Sequence, residues 1–468
     1  MESTVKQSSR FSALEIDPEQ FRSLGHQLVD RIAEFLASLS SRPVTPSESP
    51  IEVRTALEAD RGVPTEGADP ACLLDRAAGL LFNHSLFNSH PRFWGYITSS
   101  AAPIGALADL LASAVNPNVG AWPLSPIASE IEAQTIRWIA ELLNYPADCG
   151  GLFVSGGNMA NIVGFLAGRQ AKAGHDVRAL GVGASRLRVY CSAETHTWVQ
   201  KAADIAAGDK PIMIIGAAGT VGTGAVDPLA ELAALSREYN LWFHIDGAYG
   251  AMAAILPDAR EEFAGLNQAD SIAVDPHKWL YAPLEAGCAL VRNREKLRDA
   301  FSYHPPYYHF ETEATNYYDL GPQNSRGFRA LKVWLALQQA GRNGYTQMIG
   351  DDIRLAAGLA RLIPQYPELK LLTQNLSITT FRFVPHGLAE GSEDAEAYLN
   401  RLNNELLTRL QSSGEAYISN AVVQGKFALR ACIVNFRTSR ADVEALPPLV
   451  VRLGKQVDDE LRPENSHN

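Results

Sequence analysis

The chain has 468 residues, of which 46% are hydrophobic and 20% charged, and a formal net charge of −11. That length is too great for one small core and implies two or three domains. The acidic balance, without any run of Lys or Arg, argues against nucleic acid and anionic membrane surfaces as partners. Five scattered cysteines with no C-x-x-C pair argue against a disulfide framework and a zinc site, so no metal is expected. The opening MESTVKQSSRF lacks the apolar core of a signal peptide, and no stretch of about 18 apolar residues occurs, so a cytoplasmic enzyme without a membrane span is expected.

The spacing predicts an amphipathic helix over 17–39. Phe21, Leu24, Leu28, Ile32, Phe35 and Leu39 recur at intervals of three and four, and Asp17-Pro18 supplies the cap and first turn. The Pro/Ser-rich segment RPVTPSESP (42–50) then allows this helix to reach away from the rest of the chain. Residues 88–97 (NSHPRFWGYI) bring Phe93, Trp94 and Tyr96 together, either to line an apolar pocket or to fill core. NPNVGAW (116–122) reads as a loop ending in Trp122, and 125–143 as a helix.

Residues 150–169 (GGLFVSGGNMANIVGFLAGR) run from a short strand through Ser155-Gly156-Gly157 into a helix of good formers. Small residues allow close backbone approach, and the free N–H groups of the helix start suit a phosphate. No Gly-Lys-Ser/Thr follows, so this is not a P-loop, and a plain strand-to-helix turn explains it equally well. A strand over 188–192 leads to His196, a packed residue or a site residue. The apolar run 211–217 leads to the small-residue loop GTVGTG (219–224), which contains Thr220. The strand 241–245 ends in Asp246-Gly247-Ala248-Tyr249. An aspartate there is costly unless it pairs with a cation or caps the following loop.

Two further apolar runs, 271–274 and 287–291, enclose Asp275-Pro276-His277-Lys278-Trp279. A lysine at the end of a buried strand is pushed by desolvation toward the neutral, nucleophilic amine, which suits a Schiff base; a surface lysine in a tight turn is the other reading. Parallel strands ending in Asp246 and Lys278 bring both side chains to one edge of the sheet, where ligands of open α/β sheets gather. Residues 301–327 form a long polar and aromatic connection of the kind used as a lid. A helix follows at 328–339, and beyond about 343 short strands (377–384, 427–435) alternate with helices (393–410, 442–461) as a small α+β domain.

Asp-Pro-His-Lys-Trp after a hydrophobic strand resembles the lysine motif of the pyridoxal-phosphate-dependent group II decarboxylases, which include the aromatic L-amino acid decarboxylases. The resemblance runs from about Phe21 to Arg452. It implies an aspartate-aminotransferase-like (fold type I) α/β domain with a mostly parallel sheet over 85–342. An N-terminal helical arm over 1–84, exchanged in a homodimer, and a small α+β domain over 343–468 flank it. It implies pyridoxal 5'-phosphate as cofactor, with Lys278 as its Schiff-base residue and Asp246 keeping the pyridine nitrogen protonated so that the ring acts as an electron sink. His196 would stack on the ring and Ala248 pack on its other face. Gly157, Asn158 and His277 would hold the phosphate, and Thr220 would contact cofactor or substrate. Relatives usually carry Ser or Thr at the position of Asn158, so this chain departs from the pattern there.

By the same resemblance Tyr96 lies near the substrate ring, with Trp94 beside it, and the loop ending in Trp122 reaches the neighbouring subunit's site. A lid tyrosine, Tyr317 by alignment from Ser325-Arg326-Gly327, with Tyr318 as the alternative, would return a proton to the substrate carbon. The implied reaction is decarboxylation of an aromatic L-amino acid to the amine. Glutamate or aspartate as substrate, an aldehyde product, and inert cofactor binding are the alternatives. An acidic substrate would want a dedicated Arg or Lys in the pocket, and none stands out in the sequence.

Overall fold

Residues 14–182, 187–203, 210–259, 261–303, 314–388 and 391–462 are described by a computed structural model. In chain order the strands are β1 (Phe93–Trp94), β2 (Gly150–Val154), β3 (Leu187–Tyr190), β4 (Lys210–Ala217), β5 (Trp242–Asp246), β6 (Ser271–Val274), β7 (Gly287–Val291), β8 (Leu369–Asn375), β9 (Ile378–Phe383), β10 (Tyr417–Val423) and β11 (Lys426–Cys432).

β2 to β7 form a six-stranded sheet in the order β2-β7-β6-β5-β4-β3. The pairs β3/β4, β4/β5 and β5/β6 are parallel, and β7 runs against both of its neighbours. Every strand of this sheet except β7 therefore points its carboxyl end at one edge. β2, β5, β6 and β7 are buried along their whole lengths, which is why they read as continuous apolar runs and not as alternating ones.

Six N-terminal helices precede or flank this sheet: α1 (Pro18–Ser38), α2 (Pro50–Leu57), α3 (Pro70–Asn83), α4 (Pro103–Val115), α5 (Pro126–Leu142) and α6 (Gly157–Lys172). α6 packs on β5, β6 and β7, and α5 packs on β2 and on the long helix Ala330–Leu362. Asp17 caps α1 by accepting the N–H groups of Glu19 and Gln20. α1 then packs on α3, with Phe35 stacked on Phe82 at 4.4 Å. The segment after α1 is tied down, since Val44 N–H donates to Gly414 O and Ser47 Oγ to Ser412 O.

A second, five-stranded sheet has the order β1-β10-β11-β9-β8 and carries the helices Glu393–Ser412 and Leu446–Leu461. Leu402, Leu406, Phe381, Phe383 and Val450 fill its core. Two features cross the boundaries expected from sequence. β1 comes from the large domain's expected range yet pairs in parallel with β10, because Trp94 finds its apolar surroundings in the second core. The long helix Ala330–Leu362 spans the expected boundary at 342, with non-helical backbone at Gly341 (φ 61°), a conformation that suits glycine.

Candidate active site

The carboxyl edge of the large sheet opens into a cavity of about 310 Å³. Each wall is the residue or loop that follows a strand. Ser155 to Asn158 follow β2, Glu194 and His196 follow β3, and Gly219 to Val221 follow β4. Asp246 and Ala248 end β5, and Asp275, His277 and Lys278 follow β6. Gly157, Asn158, His196, Thr220, Asp246, Ala248, His277 and Lys278, all nominated from the sequence, line this one space. Gly157 opens α6 where nothing larger fits, since a Cβ there would lie 2.8 Å from Asp275 Oδ2 and 2.9 Å from Ala248 Cβ.

Asp246 is buried and held by two neutral donors. Trp198 Nε1 donates to Oδ2 at 2.7 Å, and the N–H of Ala248 donates to Oδ1 at 3.2 Å. No cation in the chain pairs with it among the described residues. Two residues earlier, fully buried His244 lies 2.8 Å from Ser271 Oγ and 2.8 Å from Asn161 Oδ1. Burial pushes its imidazole down to about 4, with Asp246 and Ser271 opposing that shift, so the ring is neutral.

Lys278 sits in a tight turn closed by its own N–H donating to Asp275 O at 2.8 Å, and its Nζ lies 3.3 Å from Asp275 Oδ2. The same Oδ2 accepts the Gly157 N–H at 3.0 Å, so the first amide of α6 is already engaged inside the protein. His277 faces Ala286 O through Nδ1 at 3.0 Å. Beneath the turn, Trp279 Nε1 and Tyr281 Oη donate to Asp352 Oδ2 at 2.9 and 2.7 Å. Burial raises the Asp352 carboxyl to about 7 against the lowering effect of these hydrogen bonds.

The aromatic candidates go elsewhere. Trp94 is a core residue of the second sheet, its Nε1 donating to Thr438 Oγ1 at 3.1 Å, so its substrate-binding assignment is withdrawn. Tyr96 is exposed and Trp122 half-buried, with Trp122 Nε1 donating to Glu130 at 2.8 Å, and neither lines the cavity. Tyr317 is also displaced. Its side chain is 1% exposed, its hydroxyl points at Ser129 O, and the Arg326 guanidinium stacks 4.7 Å from its ring. Arg326 is itself clamped by Glu132, Val119 O and Phe153 O. Neither Tyr317 nor Tyr318, both buried, lines the cavity that holds Lys278 in this chain. Residues 304–313 of the expected lid lie outside the described residues.

Several site residues carried no assigned role in the sequence. Asp275 belonged to the quoted motif but was overshadowed by its lysine, and Trp198 stood two residues past His196. Asn161 follows Asn158 by nearly one helical turn, a spacing that repeats a face and was the available signal. Asp352, far along the chain, had none.

A cavity with an amine on one side, an isolated carboxylate on the other and a helix start between them suits a phosphorylated pyridine aldehyde. The glycine-lined approach at Gly157 leaves room for such a group. The fold and site thus define a pyridoxal-phosphate enzyme. A family model described as the pyridoxal-dependent decarboxylase conserved domain matches residues 59–207 and 203–384. The chain belongs to this family of pyridoxal-phosphate-dependent carboxy-lyases. It is 33% identical to an aromatic-L-amino-acid decarboxylase of Bacillus atrophaeus, over 95% of this chain and 97% of that protein. It is 27% identical to a phenylacetaldehyde synthase of a Rosa hybrid cultivar, over 89% and 90%. The crystal structure of Oryza sativa TDC with PLP and tryptamine superposes with a TM-score of 0.86 at 25% identity, covering 96% of this chain and 99% of that one.

Proposed function

We propose that the enzyme decarboxylates an aromatic L-amino acid to its amine and carbon dioxide. The carrying observation is a second, largely apolar recess of about 240 Å³ that shares His277 with the main cavity. Phe35, Leu39, Phe87, Pro283 and Leu284 line it, with Asn88, Ser89, Thr98 and Ser99 as polar edges. Among the described residues neither space has an arginine in its lining and Lys278 is the one lysine, so a side-chain carboxylate of glutamate or aspartate would meet no fixed countercharge from them.

In this reading Lys278 would hold the cofactor through its amine. Asp246, paired with no cation among the described residues, would keep a proton on the pyridine nitrogen, with Trp198 and the Ala248 N–H fixing the carboxylate's direction. The bound cofactor supplies a sink for the electron pair left by departing carbon dioxide. His196 and Ala248 would hold the ring, Thr220 would contact cofactor or substrate, and Asn158 and His277 would hold the phosphate. Gly157 contributes space more than a donor, its N–H being held by Asp275. The sequence relatives include both a decarboxylase and an aldehyde synthase, so the product is the part of this reading that the assay below decides.

A homodimer is part of the proposal. Leu107, Leu110 and Leu111 on α4 and Leu124 and Ile127 near Trp122 are all exposed, and a second copy would cover them. Tyr96 and Trp122 would then serve the neighbour's site. Release of carbon dioxide, measured over the twenty amino acids plus dihydroxyphenylalanine and hydroxytryptophan with amine and aldehyde assayed, tests the reading. Preference for glutamate or aspartate overturns the substrate class, and aldehyde with peroxide overturns the product.

A further inference from the structure

Asp275 is 3% exposed, and its carboxylate is short of partners. Oδ2 is shared between the Gly157 N–H and Lys278 Nζ. Oδ1 lies 2.9 Å from His277 Nδ1 yet makes no hydrogen bond, because that nitrogen is engaged with the main chain of Ala286. A carboxylate buried this deeply is stable only beside a cation. Among the described residues, the other ionisable groups around Lys278 are Asp246 at the end of β5, Glu194 and His196 after β3, Tyr249, His277, and the Cys432 thiol of β11. None of these carries a fixed positive charge, so Lys278 is the countercharge of Asp275.

We propose that Asp275 is a further catalytic residue, one that governs the proton on Lys278 Nζ. It holds the free side chain as an ammonium ion, which has no lone pair for attack, so the lysine captures a carbonyl only once a proton has left Nζ. In that step one N–H bond of the ammonium breaks and its proton passes to solvent water. The freed lone pair bonds the carbonyl carbon. The two remaining protons leave with the carbonyl oxygen as water when the carbon–nitrogen double bond forms. The inference rests on Lys278 being the cofactor lysine.

The test uses the full-length chain freed of cofactor and pyridoxal as probe, since an aldehyde without phosphate reports the lysine and not the phosphate cradle. Adducts are trapped with borohydride and counted on the Lys278 peptide by mass spectrometry, from pH 6 to pH 9. Asp275→Asn keeps the shape and the acceptor for Gly157 but removes the charge. It should label about tenfold faster than wild type at pH 7, with the pH of half-maximal labelling moved down by about one unit, the two being equivalent. Asp275→Ser, read alongside in case the amide packs badly, should move the same way, and Asp275→Glu should restore the wild-type profile. A lysine merely propped in place by Asp275 would label more slowly or equally in Asp275→Asn, with an unmoved pH profile, and that result overturns the proposal. Wild-type protein labelled by pyridoxal phosphate on a different lysine is a separate failure, that of the cofactor assignment itself.

Discussion

The carboxyl edge of the large sheet gathers Gly157, Asn158, His196, Thr220, Asp246, Ala248, His277 and Lys278 around one cavity, whereas Trp94, Tyr96, Trp122 and Tyr317 are scattered away from it. The two groups differ in what positions them. Each residue of the first lies within a few positions of a strand end, and parallel strands leave little choice about where strand ends go. The aromatic residues sit on connections or on an edge strand, where side-chain direction depends on which neighbours arrive. Trp94 was claimed by the second core, and Tyr317 by Arg326, whose own guanidinium is fixed by Glu132. A short motif at a strand end carries its own geometry, and an aromatic in a loop does not.

The largest expected effect lies on the cavity side. Lys278→Ala should lose the covalently held cofactor and all measurable turnover while remaining folded, read by absorbance after dialysis and borohydride treatment. Retention of a borohydride-fixed chromophore would move the central role to another residue. Asp246→Asn should still bind cofactor but turn over ~10²–10⁴-fold more slowly, a loss of a few kcal/mol of transition-state stabilisation. Near-normal turnover there would reassign Asp246 to a structural cap for Ala248.

On the aromatic side the expected effects are smaller and of a different kind. Tyr317→Phe should cost about 1 kcal/mol of stability through the lost contact with Ser129, leaving the ratio of amine to aldehyde unchanged. A switch to aldehyde in this variant would return Tyr317 to the chemistry and erase the contrast between the two regions.

An effect confined to pH dependence concerns Asp352, which ties Trp279 and Tyr281, just past Lys278, to the helix that runs into the second domain. Its folded value, about 7, lies above the unfolded 3.8, so the folded protein binds the extra proton between these limits. Its contribution to stability is greatest below about pH 4 and declines as pH rises toward 7. Asp352→Asn removes this decline, so the variant's melting temperature should gain on wild type from pH 5 to pH 8. Parallel melting curves for the two proteins across that range would show that Asp352 does not titrate there.

The apolar runs at β2, β4, β5, β6 and β7 and the periodic helix at α1 were legible in the chain because burial on both faces and a 3.6-residue period leave direct marks on residue type. The lysine motif and the strand-end aspartate were legible for a related reason: a charge beside an apolar run demands a partner, and the sequence shows the demand. What supplies the partner is not written locally. That Trp198 bonds Asp246, that Asp275 faces Lys278 and caps Gly157 at once, and that Asp352 reaches Trp279 from the long helix depend on contacts between segments far apart in sequence. The fate of β1 was undecided in the same way, since Phe93 and Trp94 suit either core by residue type and only pairing with β10 assigns them to the second. Residue chemistry states which groups must be buried, paired or held, and the tertiary packing alone chooses among the neighbours able to do it.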